Sequence, residues 1–302
     1  MPGLSRPDPG PLSDMAPASG KVSPGGADRA GTPPIRKVSR RIRNLLRSKP
    51  VAVLLYLVVI YLIARMSVTG AEAMGYNWQW YRVPDYLFRL TEDGFQWGEI
   101  FFGLVTSIDL SVKAFILATI VGLFIALLRL SGLLVGSGVA LVYLEFVRNI
   151  PLLVLLYLIY YVMGPIFKFD RYMAAIICLA VYHSATISEI FRAGINSVPK
   201  GQWEAAKSIG MSVAQSYRFI ILPQSIKVML PPLTNEAVQL IKSSAIVSVI
   251  AIAELTTIGR NIISDTYMSF EIWFTVAVVY LVVTLILSTF VSGLEKRFAV
   301  RS

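Results

Sequence analysis

The sequence predicts an all-α, polytopic membrane protein with six spans, on three observations. Of the 302 residues, 55% are hydrophobic and 15% charged, with a mean hydropathy of +0.65; soluble domains carry more charge than this. Apolar stretches of bilayer-crossing length recur between polar segments. Basic residues crowd ahead of the first such stretch, which is how membrane orientation is written into a chain. In a soluble protein the net charge of +10 would suggest nucleic acid. Placed beside a span it points to lipid, and no nucleic-acid partner is expected.

Residues 1–34 hold eight of the 16 prolines and six glycines, with almost no large apolar residue. They cannot bury a core and are expected to form a disordered cytoplasmic tail. They are no signal peptide, because no apolar core follows a short basic start. In residues 35–49, Val38, Ile42, Leu45 and Leu46 share one helical face, surrounded by Arg40, Arg41, Arg43 and Arg47. That pattern predicts a basic amphipathic segment lying on anionic membrane lipid.

The first span is expected at 51–69. Ten basic residues precede it, opposed only by Asp8, Asp14 and Asp28, so the positive-inside rule places the N-terminus in the cytoplasm and the loop 70–98 in the periplasm. Trp78, Trp80, Tyr81, Tyr86 and Trp97 in that loop suit an interfacial aromatic belt. The second span, 99–128, repeats small residues every four positions at Ala114, Ala118, Gly122 and Ala126, a stripe that permits close helix packing. Arg129 ends it. A third span, 139–163, is interrupted near Arg148-Asn149-Ile150-Pro151, and a fourth covers 171–193. The fifth is expected to begin after Pro231-Pro232 and to end near residue 250. The sixth covers 270–294, and Lys296, Arg297 and Arg301 hold the C-terminus inside. Cys178 is the sole cysteine and His183 the sole histidine, so neither an intramolecular disulfide nor a His/Cys metal cluster is possible. No metal or cofactor is expected.

The most informative segment lies between the fourth and fifth spans, at about 194–223. Glu204-Ala205-Ala206 is followed after three residues by Gly210, after nine more by Ile220, and then by Leu222-Pro223. Helix formers fill 202–209, Gly210 permits a sharp turn, and a second short helical pattern should stop near Pro223. Arg192, Lys200, Lys207 and Arg218 place this loop in the cytoplasm. Helix, turn and helix projecting from a membrane suit docking in a partner's groove; the plainer reading is an ordinary helical connection.

The spacing resembles the EAA loop of bacterial ABC importer permeases. The likeness extends to Arg148-Asn149-Ile150-Pro151-Leu152-Leu153, to the run from Ser188-Glu189 to Gln202-Trp203, to Leu230-Pro231-Pro232-Leu233-Thr234-Asn235-Glu236, to Glu254-Leu255, and to the closing run from Phe270-Glu271 to Glu295-Lys296-Arg297. It is to the polar amino-acid branch (histidine, glutamate and general amino-acid permeases) and covers about residue 98 to the end. It implies a five-helix permease core in 99–298, with 51–69 as one extra N-terminal transmembrane helix, in a bacterial inner membrane. It also implies the partners: ABC ATPase subunits, a second permease subunit, identical or paralogous, a periplasmic amino-acid-binding protein, and an amino-acid substrate. The chain departs from the family at Ser243-Ser244-Ala245-Ile246, where an acidic or polar residue and then Thr-Ser-Leu is usual, so substrate identity does not carry over.

No stretch fits G-x-x-x-x-G-K-[ST], so this chain lacks the loop that cradles nucleotide phosphates and is a transport subunit rather than the ATP-hydrolysing enzyme. Glu204, Ala205, Ala206, Gly210, Leu222 and Pro223 are the ATPase-coupling candidates, Glu204 as a polar contact and Gly210 as the turn. Trp203 anchors the loop either to its own core or to the partner. Charged residues inside spans need a partner or a function. Glu189 with Arg192, and Glu145 with Arg148, are three apart and are read as structural pairs. His183 is either a buried histidine bonded to a neighbouring helix or a wall of the substrate site. Asn235, Gln239 and Lys242 form one polar stripe of the fifth span, suited to a substrate carboxylate; alternatively Lys242 neutralises Glu236 or Glu189. The rival function is a secondary amino-acid transporter, which would need no ATPase, and a third reading is a scaffold that docks a soluble partner.

Overall fold

A computed structural model describes residues 49–91 and 94–298 of the chain. The tail at 1–34, all but the last residue of the amphipathic segment, and Arg301 lie outside the described residues. The chain divides at residues 76 and 77 into two units.

The first unit is one helix, α1 (Lys49–Ala73), over the first predicted span. At 1.5 Å per residue its 25 residues run roughly 37 Å, enough to cross a bilayer. Its apolar residues from Val53 to Val68 are exposed all round, as befits a helix solvated by lipid. The hydroxyls of Ser67 and Thr69 donate to carbonyls one turn back, at Ile63 and Arg65, so neither is left unpaired.

The second unit opens with a 3₁₀ turn (Trp80–Arg82), α2 (Val83–Leu87) and an antiparallel hairpin of β1 (Phe88–Thr91) and β2 (Gly94–Trp97). The hairpin departs from the all-α expectation. Apolar residues alternate at Phe88 and Leu90 and again at Phe95 and Trp97, the period of a strand, but each run is only four residues long. The helices follow: α3 (Glu99–Leu130), α4 (Leu134–Asn149), α5 (Leu152–Tyr157), a π-helical turn (Leu158–Met163), α6 (Gly164–Phe167) and α7 (Arg171–Asn196). Beyond them come α8 (Lys200–Ser208), α9 (Val213–Ser216), a second π-helical turn (Tyr217–Ile221), α10 (Leu222–Ser243), a 3₁₀ segment (Ser244–Ile250), α11 (Leu255–Thr266) and α12 (Ser269–Phe298).

Four helices, α1, α3, α7 and α12, are long and apolar enough to cross a membrane. Two bent pairs complete the six expected crossings if each counts once: α4 with α5–α6, bent by 107°, and residues 213–250 with α11, bent by 48°. The first break falls at Ile150-Pro151, where the sequence placed it; proline disfavours helical backbone in the residue before it. The fifth span departs from expectation. Pro231 and Pro232 lie inside α10 rather than before it. In a membrane helix the lost backbone donors are tolerated because neighbouring turns and hydroxyls re-satisfy the chain, and Thr234 Oγ1 donates here to the carbonyls of Leu230 and Pro231 at 2.9 and 2.8 Å. The segment α11 was not foreseen.

The centre of the fold is the seam between α3 and α7. Ala114, Ala118, Gly122 and Ala126 are all buried, as the four-residue stripe predicted. A side chain at Gly122 would meet Ile187 Cγ2 at 2.8 Å and the Ser184 carbonyl at 3.0 Å. Gly122→Val should therefore destabilise the chain by about 1–3 kcal/mol through overpacking, read as an earlier thermal transition in detergent, and Ile187→Ala should restore part of the loss.

Candidate functional site

The loop that the sequence singled out is built from local signals. α8 ends in a Schellman motif: Met211 N–H donates to the Ala206 carbonyl at 3.1 Å and Gly210 N–H to the Lys207 carbonyl at 3.0 Å. Gly210 has φ +76° with open space where a side chain would stand, so the turn needs its backbone freedom and not its small size. Ser212 then opens α9 with a capping box: Gln215 N–H donates to Ser212 Oγ at 3.3 Å, and Ser212 N–H to Gln215 Oε1 at 2.8 Å. The second helix does not stop near Pro223 as expected. Pro223 occupies the first turn of α10, where a missing N–H is tolerated, and the π-helical turn joins α9 to α10 without a break.

Glu204 and Ala205 are exposed, Ala206 is fully buried, and Leu222 and Pro223 are exposed. Trp203 meets Tyr217 edge-on at 5.1 Å and packs with Ile195, Val198, Ile221 and Met229, which places it as an anchor to its own chain. Ile209, Val213 and Phe219 are large, apolar and exposed around the turn. The motif did not mark them. The available signal was an apolar side chain on each side of Gly210, where a solvated turn would be polar.

Above the loop, Glu189 of α7 gathers three arginines. Arg129 of α3 donates to Oε1, Arg192 Nη2 lies 2.7 Å from Oε2, and Arg148 of α4 lies 3.4 Å from Oε1. The Glu189–Arg192 pair was expected. The Glu145–Arg148 pair is not formed: Glu145 accepts from Asn149 Nδ2 at 3.0 Å instead. The face of α4 carrying Ala140, Leu144 and Val147 packs with Ala185 of α7. Arg148, next to Val147, therefore reaches the residue one turn past Ala185.

Deeper in the bundle His183 Nδ1 lies 2.7 Å from Glu236 Oε1, joining α7 to α10, and both residues are buried. This is the helix-bonded histidine of the two readings. Its Nε2 is buried and without a hydrogen-bond partner among the described residues. Asn235, Gln239 and Lys242 instead share an exposed face of α10. The structure does not bring the stripe together with His183; Glu236, on a neighbouring face, makes that contact. Nor does Lys242 neutralise an acid: among the described residues Glu236 pairs with His183, and Glu189 with arginines. Glu254 was missed as a structural residue. Fully buried, it caps α11, accepting from the backbone of Thr256 and Thr257 at 2.9 and 2.7 Å and from Tyr280 OH of α12 at 3.0 Å. Glutamate is not among the residues that favour a cap position, so no local cap signal marked it.

The family model described as "Binding-protein-dependent transport system inner membrane component" matches residues 118–300. The chain belongs to this family. Among relatives of this inner membrane component, the "Probable glutamine ABC transporter permease protein GlnM" of Bacillus subtilis (strain 168) is 39% identical over 188 residues, covering 62% of this chain and 87% of that protein. The "Glutamine transport system permease protein GlnP" of Escherichia coli (strain K12) is 36% identical over 184 residues, covering 60% and 84%. A solved structure described as "Crystal structure of an amino acid ABC transporter with histidines" is 41% identical, with a TM-score of 0.62 over 66% of this chain and 94% of that one. The transporter structure "Inward facing conformations of the MetNI methionine ABC transporter: CY5 native crystal form", at 18% identity and TM-score 0.53, shares the fold. The matched residues of this inner membrane component include the loop, Glu189 and its arginines, and the His183–Glu236 bond.

The two polar features of α10 should separate in stability. Glu236→Leu leaves His183 with neither ring nitrogen bonded and should cost about 1–3 kcal/mol. Lys242→Met removes no ion pair and should stay within about 0.5 kcal/mol. Thermal unfolding of the two variants in detergent measures the difference.

Proposed function

We propose that this chain is the membrane-spanning subunit of an ATP-driven importer of polar amino acids, coupled to a separate ATPase through the loop at 194–223. The observation that carries this reading is the loop itself. It is a rigid, doubly capped helix–turn–helix that exposes Glu204, Ile209 and Val213 beside a glycine held at positive φ, in a chain with no phosphate-binding loop of its own. The names of the relatives, as glutamine and amino-acid permeases, support the substrate class. A secondary transporter has no use for such a loop.

In this reading two permease subunits, identical or paralogous, form the pathway between them, and a periplasmic binding protein delivers the amino acid. ATPase subunits clamp on ATP, draw the two coupling loops together and turn the pathway outward; release of hydrolysis products resets it. Glu204 meets the ATPase as a polar contact, while Ile209 and Val213 fill its cleft. On the permease side, Asn235, Gln239 and Lys242 of α10 line the path, the amides and the cation receiving the substrate carboxylate as it leaves water. His183 holds α10 in place through Glu236.

Gly210→Val forces a β-branched residue to positive φ, at a cost of about 1–3 kcal/mol concentrated in the turn. Together with Glu204→Lys it tests the loop. Both variants should insert normally and lose uptake in reconstituted vesicles, along with ATPase association or substrate-stimulated hydrolysis. Normal uptake in both would falsify the coupling role. Lys242→Met should likewise lose uptake while basal ATP hydrolysis persists.

Orientation is part of the proposal, with the N- and C-termini cytoplasmic and residues 70–98 periplasmic. It is supported by the basic excess before residue 51. A cysteine at Asn77 should react with an impermeant thiol reagent added outside intact cells, and one at Ser208 should not. The opposite labelling pattern would reverse the topology and remove the loop from the ATPase.

A further inference from the structure

In the hairpin ahead of α3, Phe88 stands opposite Trp97 and Leu90 opposite Phe95, while Arg89 stands opposite Gln96. Side chains alternate across a strand pair, so Phe88, Leu90, Phe95 and Trp97 share one face and Arg89 and Gln96 the other. All four apolar residues are exposed, Leu90 to 81%. A lone two-stranded hairpin is marginal in water, and one showing water an aromatic face is worse placed still.

The hairpin is nevertheless fixed to the span that follows. Gly98 N–H donates to the Leu87 carbonyl at 2.9 Å, and a side chain at Gly98 would collide with the backbone of Tyr86 and Leu87. Ring contacts then run without a gap from the sheet into α3: Phe88 to Phe95 at 6.2 Å, Phe95 to Trp97 at 4.8 Å, Trp97 to Phe101 at 4.0 Å and Phe101 to Phe102 at 6.0 Å. Phe102 begins an exposed apolar patch of α3 that includes Val105 and ends at the exposed Asp109–Lys113 pair on the same side. α3 is long and apolar enough to cross a membrane, so this patch lies at the end of the span where it enters lipid. The hairpin's apolar face is thus continuous with the entry of the span into lipid. At the same end of the molecule Trp80 approaches Phe274 of α12 at 6.4 Å, a second aromatic contact where a span begins.

We propose that the hairpin is a membrane anchor: Phe88, Leu90, Phe95 and Trp97 sit in the interfacial layer of the adjoining leaflet, and Arg89 and Gln96 face water. The occupant of this face is lipid, because the face is strictly apolar, merges with the entry of α3 into lipid and carries the aromatic side chains that favour the headgroup boundary. The anchor sets the depth at which α3 enters the bilayer. It lies outside the residues matched by the family model, and it holds whatever the chain transports.

The test is site-directed spin labelling of the full chain in phosphatidylethanolamine–phosphatidylglycerol vesicles. The buried thiol of Cys178 is first replaced by Cys178→Ala, and single cysteines are then introduced by Arg89→Cys, Leu90→Cys, Phe95→Cys and Gln96→Cys. All four positions are exposed and accept a label; Leu90 makes none of the ring contacts above, so the label at 90 reads the face without disturbing them. Collision with dissolved oxygen should exceed collision with a water-soluble nickel chelate at 90 and 95, and the order should reverse at 89 and 96. Nickel dominating at all four positions would overturn the anchor. So would labels at 90 and 95 that are open to nickel until an added soluble binding protein shields them, which would make the face a protein-docking surface.

Discussion

The close approach of α3 and α7 is the constraint on which the other elements depend. Lipid gives two apolar helices no hydrophobic reason to associate, so contact must come from close packing and polar links. Ala114, Ala118, Gly122 and Ala126 provide the first. Tyr172 bonded to Asp109 toward one end, and Arg129 bonded to Glu189 toward the other, provide the second. α4, α10 and α11 then each attach to one of these two, and α12 attaches through α11. α4 is tied to α7 by Arg148 on Glu189 and by Tyr143 OH on Ser184 Oγ at 2.6 Å. α10 is tied to α7 by Glu236 on His183. α11 is tied to α3 by Leu255 N–H on Ser107 Oγ at 3.1 Å, while Glu254 binds α12 to the same point through Tyr280. A residue that pushed α3 from α7 would displace all of them.

These interior charges differ in kind. Glu254 is surrounded by donors and needs no cation, which is how a buried carboxylate is held at tolerable cost. Glu189 is oversupplied: three guanidiniums share one carboxylate, leaving excess positive charge at the end of the bundle that also carries Lys200, Lys207 and Arg218. That asymmetry agrees with placing this end on the cytoplasmic side. His183 is undersupplied, with one nitrogen bonded and one not. Buried polar atoms are rarely left so, and among the described residues this nitrogen has no partner.

What the sequence disclosed and what it withheld follow the range of the forces involved. The caps of the loop at 194–223 involve residues within five positions of one another, and Gly210 could be read directly. The small-residue stripe was legible because helical period alone puts it on one face. Partners across the bundle were not legible: Arg148 reads as a mate for Glu145 three residues away, and only the packing of Val147 beside Ala185 sends it to Glu189. Pro231-Pro232 reads as a boundary by local rules, yet α10 runs through it because the bundle holds both flanks. The hairpin was hidden by its brevity, and its alternation gained meaning only when Gly98 docked it at the start of α3.

The same residues suggest how motion of the loop would reach the pathway in the proposed assembly. The π-helical turn at Tyr217–Ile221 leaves no slack between the loop and α10, and Trp203 on Tyr217 locks α8 to that turn. A push on α8 therefore acts on α10 as on a lever. From Leu222 to Lys242 the lever is roughly 30 Å long at helical rise, so a tilt of about 5° would move its far end by roughly 2–3 Å. Pro231 and Pro232 lie near the middle of the lever, where two missing backbone donors make bending easiest. Beyond it, Glu236 is held by His183, while Asn235, Gln239 and Lys242 are exposed on another face. In the proposed assembly such an arrangement would convert a push at one end into a change of angle at the polar stripe rather than a sliding of the whole helix. Bending there is opposed by the buried His183–Glu236 bond and by the packing of α10 on α7, α12 and α3.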